Sequence, residues 1–426
     1  MSVDLEEIQE LGPVDRTAFF ERDAGIEAIR GDVSEIVDRV REEGDVAVRE
    51  FTSEFDGVEV GNLEITDECE RAYDELEGDV REAIETAAAN VREFHEAQVP
   101  ADWRETFDEG RELGRRFRPL ERVGVYVPGG SAAYPSSAIM GVVPAVVAGV
   151  EHVTVVTPPA EELNPVTLAA IHVAGADAVY SVGGAQAIAA LAYGTETVTR
   201  VQKIVGPGNR WVTAAKAEVQ GDVEIDMLAG PSEVVVVADE TADPELVASE
   251  LVAQAEHDPN ASVVAVTDDE ATAKAVVEAV DEQASARERK EIIREALEND
   301  ASGVLLARSM SEAILFTEEY APEHLSIIAD DDERVLERID SAGSVFLGPN
   351  TPVAAGDYAS GTNHVLPTNA SARVTGGLSV ETFVRSSTVQ RLSGEGLAEI
   401  SETITTLAEA EGLEAHAESV RKRLDR

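Results

Sequence analysis

The fold is decided by residues 121–157, which read ERVGVYVPGGSAAYPSSAIMGVVPAVVAGVEHVTVVT. A β-branched run, Val123–Val127, is followed by a Pro-Gly-Gly turn, an apolar helical stretch, Ser136–Ala148, and a second β-branched run, His152–Thr157. Two strands joined through a helix form a βαβ unit, and such units build parallel sheets. This stretch therefore predicts an α/β fold with parallel strands.

The same alternation continues along the chain and divides into two units. The first unit adds the strands Ala178–Val182, Val201–Val205 and Val223–Leu228 and the helices Asn164–Ala174, Ala185–Ala192 and Asn209–Gln220. The second unit has the strands Val234–Ala238, Ser262–Thr267, Gly303–Ala307, Leu325–Ala329 and Ser344–Leu347, with the helices Pro244–Glu256 and Asp269–Asn299 between them. We therefore predict two Rossmann-like α/β domains with parallel-rich sheets. How strands pair across the two units is left open.

Both ends of the chain are predicted to be helical. Residues 1 to about 120 form a helical N-terminal segment in this interpretation, because Asp32–Phe51 and Asp67–Gln98 carry apolar residues three and four positions apart amid charged ones. After about Gly376 no strand alternation is visible, and Gly394–Leu424 is rich in charge. We expect a helical C-terminal tail that packs on its own chain or reaches a partner.

The charge balance restricts the partners. The chain has 426 residues, with 84 Asp and Glu against 34 Lys and Arg, which gives a formal net charge of −50. Nucleic acids and anionic membranes need a basic surface, so neither is expected as a partner. A uniformly acidic, Lys-poor chain is typical of a halophilic protein kept soluble in concentrated salt. The other interpretation is an acidic protein without that adaptation.

The single cysteine and the apolar stretches bear on location. One cysteine, Cys69, allows no intrachain disulfide, and the acids around it are expected to keep its thiol protonated and inert. The first ten residues lack the pattern of a signal peptide, and the longest apolar stretch, Ala138–Val150, is shorter than a membrane helix. We expect a soluble cytoplasmic protein.

Several glycine clusters follow predicted strands. They are Pro128 with Gly129 and Gly130, Gly183 with Gly184, Gly206 with Gly208 and Asn209, and Gly230 with Ser232. Glycine lets the backbone approach a ligand, and a helix N-terminus favours a phosphate. None of the clusters matches the dinucleotide fingerprint G-x-G-x-x-G. Each alone suits a tight turn, whereas several together favour a nucleotide or phosphate ligand.

The histidines fall into two groups. Four have polar neighbours and three do not. The four pairings are Gln254 with His257, Glu323 with His324, Asp357 with His364 and Glu411 with His416, and the other histidines are His95, His152 and His172. Gln254 and His257 are three residues apart at the end of a predicted helix, so they share a face and can hold one metal ion. Two interpretations stay open at this point. All seven histidines can have structural roles, or the four with polar neighbours can form a metal or acid–base site.

Taken in order, eight motifs resemble those of the histidinol dehydrogenase family, whose members use zinc and NAD. The motifs are GVYVPGG, GGAQAIAAL, VGPGN, AGPSEV, QAEHD, APEHL, GDYASGTNHVLPT and AEAEGLEAH. The resemblance implies an N-terminal segment, residues 1–20, and a first α/β domain, residues 21–122 and 234–376, that holds the metal and catalytic residues. It implies a second α/β domain on the NAD side, residues 123–233, and a helical tail, residues 377–426, that reaches the partner subunit of a homodimer.

The resemblance also implies roles for particular residues. Glu323 would activate water and His324 would be the general base. Zn²⁺ would be held by Gln254, His257, Asp357 and His416, the last from the other subunit. The substrate site would comprise Ser232, His364 and Glu411 together with His324 and the four zinc ligands, and the NAD site would be lined by Tyr126, Gln186 and Asn209.

The implied reaction has two hydride transfers to NAD, from L-histidinol through bound L-histidinaldehyde to L-histidine, as the last step of histidine biosynthesis. Two other functions are considered. An aldehyde dehydrogenase-like enzyme normally needs a nucleophilic cysteine, and Cys69 is badly placed for that role. A zinc-containing binding or regulatory protein without turnover would not need the intact Glu323 and His324.

Overall fold

The computed structural model describes residues 3–20, 22, 25–108, 110–129 and 133–425. The strands are β1 (Leu5–Glu7), β2 (Trp103–Asp108), β3 (Arg111–Pro119), β4 (Arg122–Tyr126), β5 (His152–Thr157), β6 (Ala178–Ser181), β7 (Lys203–Val205), β8 (Glu224–Ile225), β9 (Glu233–Ala238), β10 (Ser262–Thr267), β11 (Gly303–Leu306), β12 (His324–Ile328), β13 (Ser344–Leu347) and β14 (Val384–Leu392).

The α-helices are α1 (Pro13–Phe20), α2 (Arg30–Glu43), α3 (Asp45–Phe51), α4 (Thr66–Glu75), α5 (Gly78–Glu96), α6 (Pro135–Ala148), α7 (Pro165–Ala174), α8 (Gly184–Tyr193), α9 (Arg210–Val219), α10 (Pro244–Ala255), α11 (Glu270–Ser285), α12 (Lys290–Leu297), α13 (Met310–Tyr320), α14 (Asp332–Leu336), α15 (Val353–Tyr358), α16 (Gly394–Ala410) and α17 (Glu414–Leu424). Among the described helices, none is long and apolar enough to cross a membrane.

Two parallel sheets form the body of the molecule. One has six strands in the order β1-β11-β10-β9-β12-β13, and the other has five in the order β6-β5-β4-β7-β8. Every residue of β9 and β10 is buried, as expected for strands covered by helices on both faces. The predicted fold class, two parallel-rich α/β units, is confirmed.

The early helices cover the five-stranded sheet. Helix α2 packs on α8 and α9, α4 on α7, and α5 on α6. Their apolar faces, including Val33 and Val37 on α2, join the same core as Leu191 on α8. We expected residues 21–122 to belong to the same domain as the six-stranded sheet. Helices α2, α4 and α5 pack instead on the helices of the five-stranded sheet. The other domain boundaries stay a prediction.

The N-terminal segment is part of a sheet rather than separate. Strand β1 pairs in parallel with β11, with Leu5 opposite Val304, and so forms the edge of the six-stranded sheet. Two further expectations were wrong in detail. The predicted helix Asp269–Asn299 is divided into α11 and α12. The predicted helical segment up to residue 120 contains strands β2 and β3.

A third, antiparallel sheet was not predicted. Its order is β14-β3-β2, and β14 pairs with β3 along nine residues, from Val384 opposite Pro119 to Leu392 opposite Arg111. All six residues of β2 are exposed, so the ribbon lacks the apolar alternation from which strands are predicted. The tail is helical from Gly394 as predicted, but the strand β14 precedes it. We call β2, β3, β14, α16 and α17 the arm.

Candidate active site

A buried polar cluster lies at the amino ends of β9 and β12. These strands are parallel neighbours, with His324 opposite Val234, so Glu233, Glu323 and His324 meet at one edge of the sheet. Glu323 is 7% exposed and His324 is 4% exposed. Polar side chains are rarely buried without partners, so this cluster is a candidate site.

The imidazole of His324 is held in one orientation. Its Nδ1 atom lies 3.0 Å from the carbonyl oxygen of Glu233, an acceptor, so in the neutral imidazole Nδ1 carries the proton and Nε2 has a free lone pair. Nε2 is buried without a hydrogen-bond partner among the described residues, and lies 3.6 Å from Oδ1 of Asp357. The free nitrogen is therefore available to accept a proton.

The charges around His324 strengthen it as a base. Burial alone lowers the pKa of His324, but the carboxylates of Glu323 and Asp357 more than offset that effect and raise this pKa well above 6.5. The raised pKa comes from two carboxylates that the tertiary structure brings to one imidazole.

Asp357 connects two histidines. It lies on α15, and its Oδ1 atom is 3.6 Å from Nε2 of His324 and 3.9 Å from Nδ1 of His364. Nδ1 of His364 also lies 3.0 Å from the main-chain oxygen of Asp357. Burial raises the pKa of Asp357, but His324, His364 and His257 lower it by more, so the carboxylate is charged. Burial lowers the pKa of His364, which favours its neutral form.

Gln254 and His257 lie at the end of α10. Gln254 is buried in the last turn, whereas His257 is exposed in the turn just beyond the helix. His257 is close enough to Asp357 to lower its pKa. A hydrogen bond of 3.0 Å from the N–H of Val353 to the carboxylate of Glu250 ties α10 to α15. The structure thus brings three of the four predicted metal ligands to neighbouring elements.

The remaining predicted residues lie elsewhere or at the rim. Ser232 directly precedes β9 and is half-buried. Glu411 and His416 are exposed on the arm, where α17 packs on α16 and not on the buried cluster. Within the described part of the chain, no three His, Cys, Asp or Glu side chains are grouped so as to hold a metal ion.

A cavity of about 890 Å³ opens at the carboxyl ends of the five-stranded sheet. Tyr126, Gln186 and Asn209 all line it, together with Gly129 and Gly184. Open α/β sheets bind ligands at this end of their strands. Gly130, which belongs to the first glycine cluster, lies outside the described residues.

Local hydrogen bonds shape this cavity. The side chain of Asn209 caps α9 by accepting from the N–H groups of Trp211 and Val212, at 3.0 and 3.2 Å. The hydroxyl of Tyr126 accepts from the N–H of Gly184 at 3.2 Å, at the start of α8. Burial raises the pKa of Tyr126 to about 12, so the phenol stays neutral. The helix N-terminus suits an anionic group such as a phosphate.

Sequence reasoning missed several residues of these two sites. Glu54, Phe55 and Asp56 line the cavity from the turn after α3, and nothing in their sequence context marks them. Glu233 lies inside the AGPSEV motif, but no role was predicted for it and the predicted strand began one residue later, at Val234. No role was predicted for Arg22 either. A Glu immediately next to a predicted substrate-binding Ser232 was the one available signal.

Cys69 is a buried residue of the core and not of either site. Its thiol pKa is raised to about 12, chiefly by burial and then by Glu68. The expected protonated thiol agrees with this direction, but the main cause is burial rather than neighbouring acids.

The protein is an α/β protein built on two parallel sheets. The cavity lies at the carboxyl ends of the strands of the five-stranded sheet, and the polar cluster lies at the amino ends of two strands of the six-stranded sheet. An acetylating aldehyde dehydrogenase from Geobacillus thermoglucosidasius has this fold, with a TM-score of 0.50 and 15% identity over 88% of this chain and 96% of that chain. At that identity the likeness concerns the fold alone.

A more specific assignment follows from closer matches. The profile of the histidinol dehydrogenase family matches residues 21–424. The histidinol dehydrogenase of Haloarcula marismortui is 74% identical over 423 residues, covering 99% of this chain and 100% of that protein. The crystal structure of histidinol dehydrogenase from Elizabethkingia anophelis has a TM-score of 0.93 and 37% identity, covering 100% of this chain and 98% of that one. The chain therefore belongs to the histidinol dehydrogenase family, which confirms the resemblance seen in its motifs.

Proposed function

We propose that this protein oxidises L-histidinol to L-histidine through bound L-histidinaldehyde, with two successive hydride transfers to NAD, as the last step of histidine biosynthesis. The observation that carries the proposal is the buried imidazole of His324, whose Nε2 atom is free and flanked by Glu323 and Asp357. In its neutral form, a buried imidazole with one unpaired ring nitrogen is what alcohol oxidation needs from a base.

His324 acts as the proton acceptor in this proposal. In the first oxidation, Nε2 takes the hydroxyl proton while a hydride leaves the same carbon for the nicotinamide ring, and the products are the aldehyde and NADH. In the second, the hydrate of the aldehyde loses one hydroxyl proton to His324 and a hydride to NAD to form the carboxylic acid, which then releases its own proton to water to give the carboxylate. The hydrogen bond from Nδ1 to the carbonyl of Glu233 keeps Nε2 aimed at the substrate.

Glu323 activates the water that adds to the aldehyde. One of its carboxylate oxygens accepts from the N–H of Glu233 at 2.8 Å and lies 3.5 Å from Nδ1 of His324. A carboxylate fixed beside the base can orient a water molecule and take its proton. Water addition between the two oxidations needs no further cofactor.

The residues fit a zinc ion in the chemistry of their donors. Gln254 offers an amide oxygen, His257 an imidazole and Asp357 a charged carboxylate, which suit a borderline metal. The fourth ligand is His416 of the partner subunit. The metal, when bound, supplies a fixed point for the imidazole and amine of the substrate, and Ser232, His364 and Glu411 contact the same molecule.

The cavity of the five-stranded sheet holds NAD in this proposal. Tyr126, Gln186 and Asn209 line it, and the N-terminus of α8 faces a phosphate. An aldehyde dehydrogenase-like mechanism through cysteine is disfavoured, since Cys69 is buried in the core with a raised thiol pKa. A Cys69→Ala variant should keep full activity.

The assembly is a homodimer with shared active sites, located in the cytoplasm. The exposed arm carries Glu411 and His416 away from their own chain's cluster, which supports donation to a second copy. The net charge of −50 supports the expectation that neither nucleic acid nor an anionic membrane is a partner.

One assay tests the proposal. Purified protein in concentrated salt receives L-histidinol and NAD, with and without a chelator, and NADH and bound zinc are measured together. We expect two NADH per histidinol and loss of turnover after the chelator removes the metal. NADH production that is unchanged in the fully metal-free protein contradicts the zinc site, and no NADH at all contradicts the reaction.

A further inference from the structure

A buried ion pair lies directly behind the catalytic cluster. Arg22 donates from Nη1 to Oε2 of Glu233 at 2.9 Å, and both side chains are 1% exposed. Arg22 also donates from Nη2 to the carbonyl oxygen of Tyr320 at 2.8 Å, and its guanidinium lies 3.7 Å from the centre of the Tyr320 ring. The arginine is therefore held on three sides and in turn holds Glu233.

Glu233 and Glu323 bind each other's backbone. The N–H of Glu233 donates to Oε2 of Glu323 at 2.8 Å, and the N–H of Glu323 lies 3.4 Å from Oε2 of Glu233. The carbonyl of Glu233 is also the partner of His324 Nδ1 at 3.0 Å. A single residue thus contacts both groups to which the proton and water chemistry is assigned.

The same carboxylate anchors the loop that follows the predicted substrate histidine. Oε1 of Glu233 accepts from the N–H of Asn369 at 2.7 Å. Asn369 and Ala370 have positive φ angles of 54° and 56°, a conformation that costs energy in residues other than glycine and needs support from its surroundings. A second bond, from the N–H of Gly230 to Thr368 Oγ1 at 2.7 Å, holds this loop against the segment before β9.

Stability alone is a weak reason for such a pair. Removing two charges from water costs about as much as, or more than, their attraction returns, and apolar replacements are often as stable. The contacts of Glu233 are instead made with Glu323 and His324 at the start of β12 and with Asn369 in the neighbouring loop.

We propose that Glu233, held by Arg22, is a positioning residue that fixes the backbone of Glu323 and the orientation of His324 for the two oxidations. This inference rests on the roles proposed above for Glu323 and His324. Both side chains are 1% exposed, so the proposal gives neither of them a contact with substrate. Glu233 acts by placing its neighbours within the few tenths of an ångström that proton transfer tolerates, and a displacement of about 1 Å can cost about 10²-fold in rate.

The test is steady-state kinetics of the full-length protein with Glu233→Gln. The amide replaces one carboxylate oxygen by a donor. If the amide nitrogen takes the place of Oε1, the N–H of Asn369 loses its acceptor, and if it takes the place of Oε2, both Arg22 and the N–H of Glu323 lose theirs. We expect kcat to fall about 10- to 100-fold, while bound zinc and the KM values for histidinol and NAD change less than about twofold. Arg22→Lys, which keeps the charge but has a single donor group, should lose less kcat than Arg22→Met.

A matched control is the other buried ion pair, Lys216 with Asp226, whose side chains are 2% and 1% exposed. It holds Gly206 in the turn that leads to the cavity residue Asn209: Asp226 accepts from the N–H of Gly206 at 2.7 Å, and Lys216 donates to the Gly206 carbonyl at 2.9 Å. Asp226→Asn should lower thermal stability as Glu233→Gln does, but it should raise the KM for NAD rather than lower kcat.

Particular results would overturn the inference. If Glu233→Gln lowers only the melting temperature and leaves kcat within twofold, the pair is structural. If it removes zinc or raises both KM values, it supports the whole site rather than these two groups. Glu323→Gln and His324→Ala are measured in the same assay, because their full activity would instead contradict the proposed function. If Glu233→Gln does not fold, the two variants at position 22 decide the question. The proposal then requires a higher kcat in Arg22→Lys than in Arg22→Met, and equal kcat values contradict it.

Discussion

The Nε2 atom of His324 lies 3.6 Å from Oδ1 of Asp357, where the amino end of β12 meets α15. The same oxygen is 3.9 Å from Nδ1 of His364, so one carboxylate faces two imidazoles. The negative charge of Asp357 thus helps to raise the proton affinity of His324, and the histidines help to keep Asp357 ionised. Substitutions in this cluster should therefore separate proton transfer from metal binding.

His324→Ala should keep the zinc content of the wild type and lose turnover. His324 is assigned to proton transfer and not to the metal, and the loss of a general base costs about 10²- to 10⁴-fold. His257→Ala is the matched variant for the metal and should lower bound zinc. Metal analysis and NADH production on the same samples check both, and a zinc loss in His324→Ala equal to that in His257→Ala would contradict the assignment.

Mixing two inactive variants should restore activity if the sites are shared. A mixed dimer of His416→Ala and His324→Ala has one site that combines the unchanged His324 of one chain with the unchanged His416 of the other. Random reassortment then restores one site in about half of the dimers, or roughly a quarter of the wild-type activity. The variants are unfolded and refolded together, or exchanged at low protein concentration, before the assay. Activity no higher than the sum of the separate samples would mean that His416 serves its own chain or no site.

Glu250→Leu, which removes the acceptor oxygens, should weaken zinc binding, by up to about tenfold. Glu250 accepts from the N–H of Val353 at 3.0 Å and so holds α15, which carries Asp357, against α10, which carries Gln254. Competition with a zinc indicator measures the affinity. Glu245→Gln, at an exposed position of α10, is the control and should bind zinc as the wild type does. Equal affinities in both variants would show that the tie between the helices does not matter to the metal.

The stability of the protein should depend on pH through Glu233. Burial raises the pKa of Glu233 from 4.5 to about 7, so the folded state holds its proton more tightly than the unfolded state. Its stabilising contribution is then complete below pH 4.5 and is lost as the pH rises through about 7. Melting temperatures of the wild type and Glu233→Gln, compared from pH 5 to 8, isolate this residue. The wild type should lose stability relative to the variant as the pH rises, and a constant difference would contradict the raised pKa.

Low salt should destabilise the protein. The net charge of −50 repels itself, and salt screens that repulsion over a distance of about 10 Å at 0.1 M and about 3 Å at 1 M. The family relative in Haloarcula marismortui comes from a halophilic archaeon, in keeping with this expectation. Melting temperatures should rise steadily between 0.1 and 3 M potassium chloride. A melting temperature independent of salt would mean that the acidic surface is not an adaptation to it.

Much of the fold was predictable because buried parallel strands have a strong local signature. His152–Thr157, Ser262–Thr267 and Ser344–Leu347 were predicted with the bounds that the structure has. The arm ribbon was not, since strands exposed on both faces, such as β2, leave no apolar alternation. The packing of α2 on α8 and α9 was also not predictable, because an apolar helix face does not specify which sheet it covers.

The amino-acid order was sufficient for the βαβ pattern, the acidic surface and the family motifs. These features are local, because each follows from neighbours within one helix, strand or loop. The fold alone brought Glu233 to Arg22, 211 positions earlier in the chain, and Asp357 to His324 from a different element. Such distant contacts, and the pKa values that depend on them, arise from packing and burial, which leave no trace in the spacing of residues along the chain.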